Sequence, residues 1–279
     1  MEKYELIPEQ LLYEGSITKD QFFHPEQLTE DDILLTHTKD YWNKLSTDTL
    51  SKKEIRKIGF PVRSELIDRG RYISKGTVDC VKYALEYGVS MNVAGGTHHA
   101  FSDAGEGFCI LNDFAIAANY YLSRNLLHKI LIVDLDVHQG NGTAKIFENE
   151  PRVFTFSMHG EKNYPLRKEK SDLDIGVPDK INDEDYLKIL KDTLPNLLIE
   201  VQPEIVFYLS GVDVLSTDKL GRLGMSKEGC KQRDRFVFES CYDAGIPVAV
   251  SMGGGYSERI ADIVDAHANT FRLAQEIWF

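Results

Sequence analysis

ILIVDLDVHQGNG, residues 130–142, runs four branched apolar residues straight into two aspartates and a histidine. Apolar on both sides of its alternation, the run reads as a strand covered on both faces, as the strands of a parallel sheet are. Asp134, Asp136 and His138 fall at every second position, which on a strand turns all three side chains to one face. Two carboxylates inside an apolar strand cost several kcal/mol unless they are paired or bind cations. The bland alternative is a strand that frays at Asp134 and leaves the acids in solvent, yet no turn residue follows ILIV to start such a loop. A bound cation is the expectation.

Similar short runs recur along the chain: VSMNVAGG (89–96), RVFTFSMH (152–159), EIVFYLSGVD (204–213) and IPVAVSMGGG (246–255). Between them FAIAANYYLSRNLL (114–127), DEDYLKILKDTLPNLLIEV (183–201) and SKEGCKQRDRFVFESCYDAG (226–245) carry helical periodicity, the last closing on Gly245. The alternation predicts one doubly wound α/β domain over residues 1–279, with a central, mostly parallel sheet flanked by helices. The first 75 or so residues are more polar and helical, and TEDDILLTHTKDYW (29–42) offers a threonine N-cap and an acidic first turn. No linker, repeat or low-complexity segment divides the chain.

The 279 residues are 42% hydrophobic and 27% charged, which excludes disordered and collagen-like classes. No apolar run reaches the roughly 20 residues of a membrane span, and MEKYELIPEQ has no signal-peptide core, so a cytoplasmic protein with no membrane partner is expected. Cys80, Cys109, Cys230 and Cys241 lack C-x-x-C spacing and read as buried reduced thiols. The net charge of −12 disfavours nucleic acid and suits a cationic or lysine-bearing substrate.

Ligands of open α/β sheets bind beyond the carboxyl ends of the strands. Four of the five runs end in polar or glycine-rich sequence there: His98-His99, DLDVHQGNG, SGVD and SMGGGY. Asp136 and His138 suit a transition metal, and an open catalytic site wants a third protein ligand. Asp213 supplies it, with Asp218 as its rival farther into the loop. A two-metal site would want acids two residues beyond His138 and Asp213, where the chain has Gly140 and Leu215; one metal is favoured. Hydrolysis also needs a base and an oxyanion donor. His98 and His99 can provide the base, and the GGGY turn lets the backbone approach closely and presents the Tyr256 hydroxyl.

The stretches GGTHHAFSDAGEGFC with LND after it, DLDVHQGNGTAKIF, GVDVLSTDKLGRLGMS and GGGY resemble the zinc-dependent histone deacetylase superfamily, which shares the arginase/deacetylase fold. The match runs in order from about Lys3 to near the C-terminus. HQGNG, DKLGRLGMS, KQRD and SMGGGY look most like class IV deacetylases and their bacterial relatives. The resemblance implies a three-layer single domain and a metal-dependent hydrolase of linear amides. Such an enzyme removes acetyl or longer acyl groups from lysine side chains of proteins, or from a small acylated amine such as an acetylpolyamine.

By that resemblance Asp136, His138 and Asp213 would hold Zn2+, or Fe2+ in its place. His99 would be the general base, and His98, paired with Asp134, would assist or protonate the leaving amine. Asn141 would orient His99, and Tyr256 would hydrogen-bond the substrate carbonyl. Phe108, Tyr164, Leu220, Gly107 and Gly254 would line the acyl tunnel. A structural K+ or Na+ would sit at Asp134, Asp136, His138, Ser157 and Met158, accounting for the second buried carboxylate. Three departures stand out. Class I members usually have an aspartate where this chain has Asn141; their acidic rim motif is not evident in RSELIDRGRYIS (63–74), where Glu65 and Asp68 are the candidates; and an N-terminal strand and loop of the family are expected to be missing before Lys3–Tyr4. Two other readings are a non-catalytic acyl-lysine-binding module, which predicts loss of a ligand, a histidine or the tyrosine, and a dimanganese ureohydrolase, whose second-metal residues are lacking. His24, His37, His128, His159 and His267 have no partner spacing and read as structural.

Overall fold

The computed structural model describes residues 2–279. Its sheet has six strands among the described residues: β1 (Val89–Asn92), β2 (Ile130–Asp134), β3 (Val153–Gly160), β4 (Leu173–Val177), β5 (Ile205–Leu209) and β6 (Val248–Ser251). They lie in the order β1-β6-β5-β2-β3-β4, and every neighbouring pair is parallel. Five of them are the five runs read as strands. The sixth, β4, escaped that reading because it is an edge strand with one face open: Asp174 and Gly176 are exposed between partly covered Leu173 and Ile175.

The continuous apolar runs follow from burial on both faces. The α-helices among the described residues are α1 (Lys3–Tyr13), α2 (Glu30–Ile33), α3 (Lys39–Ser46), α4 (Lys52–Ile58), α5 (Ser64–Tyr87), α6 (Asp113–Ser123), α7 (Asn141–Phe147), α8 (Asp183–Val201), α9 (Lys227–Asp243) and α10 (Ile260–Trp278). Leu131, Val133, Val206, Tyr208, Val248 and Val250 pack on one side against α8, α9 and α10. Ile130, Ile132, Ile205, Phe207 and Ala249 pack on the other against α5 and α6. The 24-residue α5 is the largest element the periodicity reading passed over. Helix starts follow local chemistry: Thr29 accepts from Asp32 N, Asn112 from Ala115 N, and Asn182 from Asp185 N, each satisfying a donor the helix leaves open. All four cysteines are buried and free, and no helix among the described residues is long and apolar enough to cross a membrane.

Strand order places the site. From β2 the chain continues to β3 on one side, while β5, on the other side of β2, continues to β6 away from it. The loops leaving β2 and β5 therefore diverge and open a crevice at their carboxyl ends, where such sheets bind ligands. One expectation is corrected here. β2 ends at Asp134, so Asp136 and His138 do not share a face by strand alternation. The acids are nonetheless buried, because they accept from the backbone of the turn itself: Asp136 N donates to Asp134 Oδ1 at 3.1 Å, and His138 N to Asp136 Oδ1 at 2.9 Å.

His37 shows what a structural histidine does here. Its Nε2 accepts from the backbone N–H of Asn112 at 3.1 Å in the buried core, and burial pushes its pKa down to about 4. Protonation would break that bond and strand a charge. Between the unfolded value of 6.5 and about 4 the unfolded chain binds more protons, so stability falls with pH through that window. Urea unfolding at pH 7.5 and pH 5 should show the wild type losing roughly 2 kcal/mol more than His37→Gln; equal losses would remove His37 as the cause.

Candidate active site

Four strand ends meet in the crevice. The loop after β1 brings Gly95, Gly96 and the two histidines; the loop after β2 brings Asp136, His138 and Asn141; β5 leads to Asp213; β6 leads through Gly253–Gly255 to Tyr256. Asp136, His138 and Asp213 each offer a ligand atom, and these atoms lie within 4.8 Å of one another. His138 Nδ1 is 3.0 Å from Asp136 Oδ1 and 3.3 Å from Asp213 Oδ2. Asp213 Oδ1 accepts from Val137 N at 3.0 Å, whereas its buried Oδ2 makes no hydrogen bond.

A buried carboxylate oxygen aimed into such a cluster without a donor fits a metal ligand. The electrostatics agree. Burial and the nearby Asp136 push Asp213 up to about 6; burial pulls His138 down, yet the hydrogen bond to Asp136 and the negative charges of Asp136 and Asp213 outweigh it and hold it up at about 10. The cluster draws positive charge, and a divalent cation answers that demand with neutral imidazole and two carboxylates. The residues fit one metal. The rival Asp218 is engaged otherwise: its Oδ1 accepts from Leu220 N and Gly221 N, and its Oδ2 accepts from Tyr256 N at 2.6 Å, fixing the turn that carries the tyrosine.

The adjacent histidines work in one place because a loop holds them, their rings 4.1 Å apart and tilted 51°. Both are buried, but their partners separate them. His98 Nδ1 lies 2.7 Å from Asp134 Oδ2; burial lowers His98, while the charges of Asp134 and Asp136 outweigh it and raise it to about 9. His99 Nδ1 lies 2.6 Å from Asn141 Oδ1, an uncharged partner, and burial followed by the charge of His98 pushes its pKa well below the ordinary value. One imidazole is held cationic and its neighbour neutral. Asp134 Oδ2 is partnered by His98 and its Oδ1 by the Asp136 N–H. Of the remaining residues assigned to a monovalent ion, Ser157 sits opposite Asp134 in the β2–β3 register, and its hydroxyl meets His159 Nδ1 at 2.9 Å; Met158 is buried beside it.

The tunnel residues surround this floor. Phe108, half exposed with φ 66°, stacks at 6.3 Å on Phe60 and lies 6.3 Å from the Tyr256 ring. Holding a phenylalanine in the left-handed region costs about 1–3 kcal/mol, and the result is an aromatic wall facing the Tyr256 turn. The Tyr164 ring stands edge-on to His99 at 5.0 Å, and Asn163 Nδ2 donates to Leu220 O at 2.8 Å, tying the Tyr164 and Leu220 segments together. A Cβ on Gly107 would come within 2.6 Å of the His99 ring, and one on Gly254 would run into the Asp213 carboxylate. Glu65 and Asp68 lie instead on the first turns of α5, exposed, with Asp68 accepting from Gln27 at 2.7 Å.

Two residues at the site escaped sequence reading. Lys3 is buried and its ammonium donates to the carbonyl of Gly254, pinning the glycine turn from a helix distant in sequence. Glu106 is buried behind Asn141. A carboxylate between two glycines, Gly105 and Gly107, was its signal.

The chain matches the histone deacetylase domain model over residues 1–271. An uncharacterized protein of Picosynechococcus is 45% identical over all of this chain and 93% of its own length. Histone deacetylase 2 of Arabidopsis thaliana is 29% identical over 91% of this chain and 68% of its own. The crystal structure of a histone deacetylase homolog from Aquifex aeolicus superposes with a TM-score of 0.82 at 24% identity, covering 95% of this chain and 76% of that one, and so shares its fold. The chain belongs to the histone deacetylase family. It is a hydrolase acting on amide bonds.

Proposed function

We propose that this protein is a zinc-dependent deacylase of the class IV type that removes acetyl or longer acyl groups from the ε-amine of lysine side chains. The observation that carries it is the Asp136, His138 and Asp213 cluster, with its unpartnered Asp213 oxygen, beside one cationic and one neutral histidine. Zn2+, or Fe2+, held by those three residues would supply Lewis acidity and bring the pKa of a water to about 7. His99 takes the proton of the attacking water. His98, kept cationic by Asp134, stabilises developing negative charge and returns a proton to the amine as the C–N bond breaks. Tyr256, its hydroxyl held in the protonated form by burial, donates to the carbonyl oxygen as that becomes an oxyanion.

Phe108, Tyr164, Leu220, Gly107 and Gly254 form the acyl passage in this reading, and the half-exposed aromatic wall suits a lysine stem or an acyl chain. A structural K+ or Na+ at Asp134, Asp136, His138, Ser157 and Met158 belongs to the same reading, as does a cytoplasmic location, which four free buried thiols support. The test is turnover of fluorogenic acyl-lysine peptides from acetyl to myristoyl on protein of known metal content, with and without chelator. Cleavage by protein holding about one metal per chain, abolished by the chelator, is expected, and the preferred acyl length ranks the passage. Full metallation with no peptide cleaved would replace the protein substrate with a small acylated amine.

A further inference from the structure

Glu106 is a buried carboxylate that neither the metal ligands nor the histidine pair uses directly. Its Oε1 accepts from Asn141 Nδ2 at 3.0 Å and from the Tyr164 hydroxyl, and its Oε2 faces the ammonium of Lys57. On the far side of the same amide, Asn141 Oδ1 is 2.6 Å from His99 Nδ1. These contacts dictate where hydrogens lie. A carboxylate paired with an ammonium only accepts, so the amide must turn its NH2 to Glu106 and its oxygen to His99. An amide oxygen also only accepts, so Nδ1 of His99 carries the hydrogen and Nε2 keeps its lone pair.

We propose that Glu106 is a positioning residue: through Asn141 it fixes the hydrogen of His99 on Nδ1 and leaves Nε2 as the proton acceptor. The inference rests on the role given to His99 above. An aspartate at position 141 would need no such help, since either of its oxygens accepts from His99. Asparagine does need it, because an amide rotated by half a turn would offer NH2 to Nδ1 and drive the hydrogen onto Nε2, where it disables the base. The loop is built to hold Glu106 still. A Cβ on Gly105 would come within 2.6 Å of the Tyr41 hydroxyl and one on Gly107 within 2.6 Å of the His99 ring, while the Glu106 and Cys109 backbones pair across the turn at 3.0 and 2.9 Å.

The experiment is a two-residue cycle on metal-quantified protein. In Glu106→Gln the new amide can donate to Asn141 Oδ1 and turn it around; kcat should fall about 100-fold, the low end of what a positioned base contributes, with KM and metal content unchanged. Asn141→Asp alone sets two carboxylates against each other and should also be impaired. In the double variant the amide introduced at position 106 donates to the carboxylate introduced at position 141, and that carboxylate accepts from His99. There kcat should return to within about fivefold of wild type, a coupling that independent structural defects do not produce. The second readout needs no turnover: in 15N-histidine spectra, with the signal assigned through His99→Ala, the wild-type hydrogen of His99 sits on Nδ1 and moves to Nε2 in Glu106→Gln. Additive losses in the double variant, or a tautomer indifferent to Glu106→Gln, overturn the proposal. Wild-type protein inactive on every acyl amide would instead sink the functional reading, and the spectra would still decide the role of Glu106.

Discussion

Replacing His99 with alanine is expected to lower kcat by about 10³-fold or more, within the range a positioned general base contributes, while the protein keeps its metal. The two halves of that expectation come from different contacts. His99 touches no metal-ligand carboxylate by hydrogen bond; its Nδ1 is committed to Asn141, and its ring stands 5.9 Å from that of His138. Removing it therefore leaves Asp136, His138 and Asp213 in place. Its neutral state depends on burial and on the cationic neighbour His98, so a lysine or arginine there would not substitute. Turnover with the preferred acyl-lysine peptide and metal content by atomic emission check it together. Full activity would take the base role from His99.

Asp213→Ala should lose metal and turnover together. Asp213 is the ligand that comes from across the crevice, on the β5 loop, whereas Asp136 and His138 are neighbours on the β2 loop. Without it only two of the three residues that would hold the metal remain. Affinity should fall by more than the roughly 10–100-fold that losing an outer partner of a ligand costs. Because Asp213 Oδ1 also accepts from Val137 N, Asp213→Asn is the control that keeps an acceptor there. A chelator should lower the wild-type melting temperature, since metal binding stabilises the folded state by mass action. It should leave that of Asp213→Ala unchanged. A variant that retained metal would return Asp218 to contention.

Much of the site lay open in short-range pattern. Alternating acidic residues after ILIV named Asp134, Asp136 and His138, because charge in a buried run is costly enough to need a partner. Doubled histidines in a glycine loop named His98 and His99, since only a loop lets neighbours act on one object. The reasons attached to them fared less well. β2 stops at Asp134, and the backbone N–H groups of the following turn, not strand alternation, bring the acids inward. Asp134 also faces a partner that no short stretch reveals, His98 on the loop after β1.

What the sequence by itself determined is the chemistry available and its rough address: which strands are covered on both faces, which strand ends carry acids, imidazoles and glycines, and the family those motifs resemble. Those properties are local, since a side chain's ionisation, its hydrophobicity and the period of a few residues travel with the chain. Only the tertiary structure decided that β5 lies beside β2, putting Asp213 across from His138, that Lys3 braces the Gly254 turn, and that Glu106 stands behind Asn141. Each is a contact between residues 35 or more apart in the chain. Its geometry is set by how helices and strands pack around three buried clusters, which no short stretch of sequence contains.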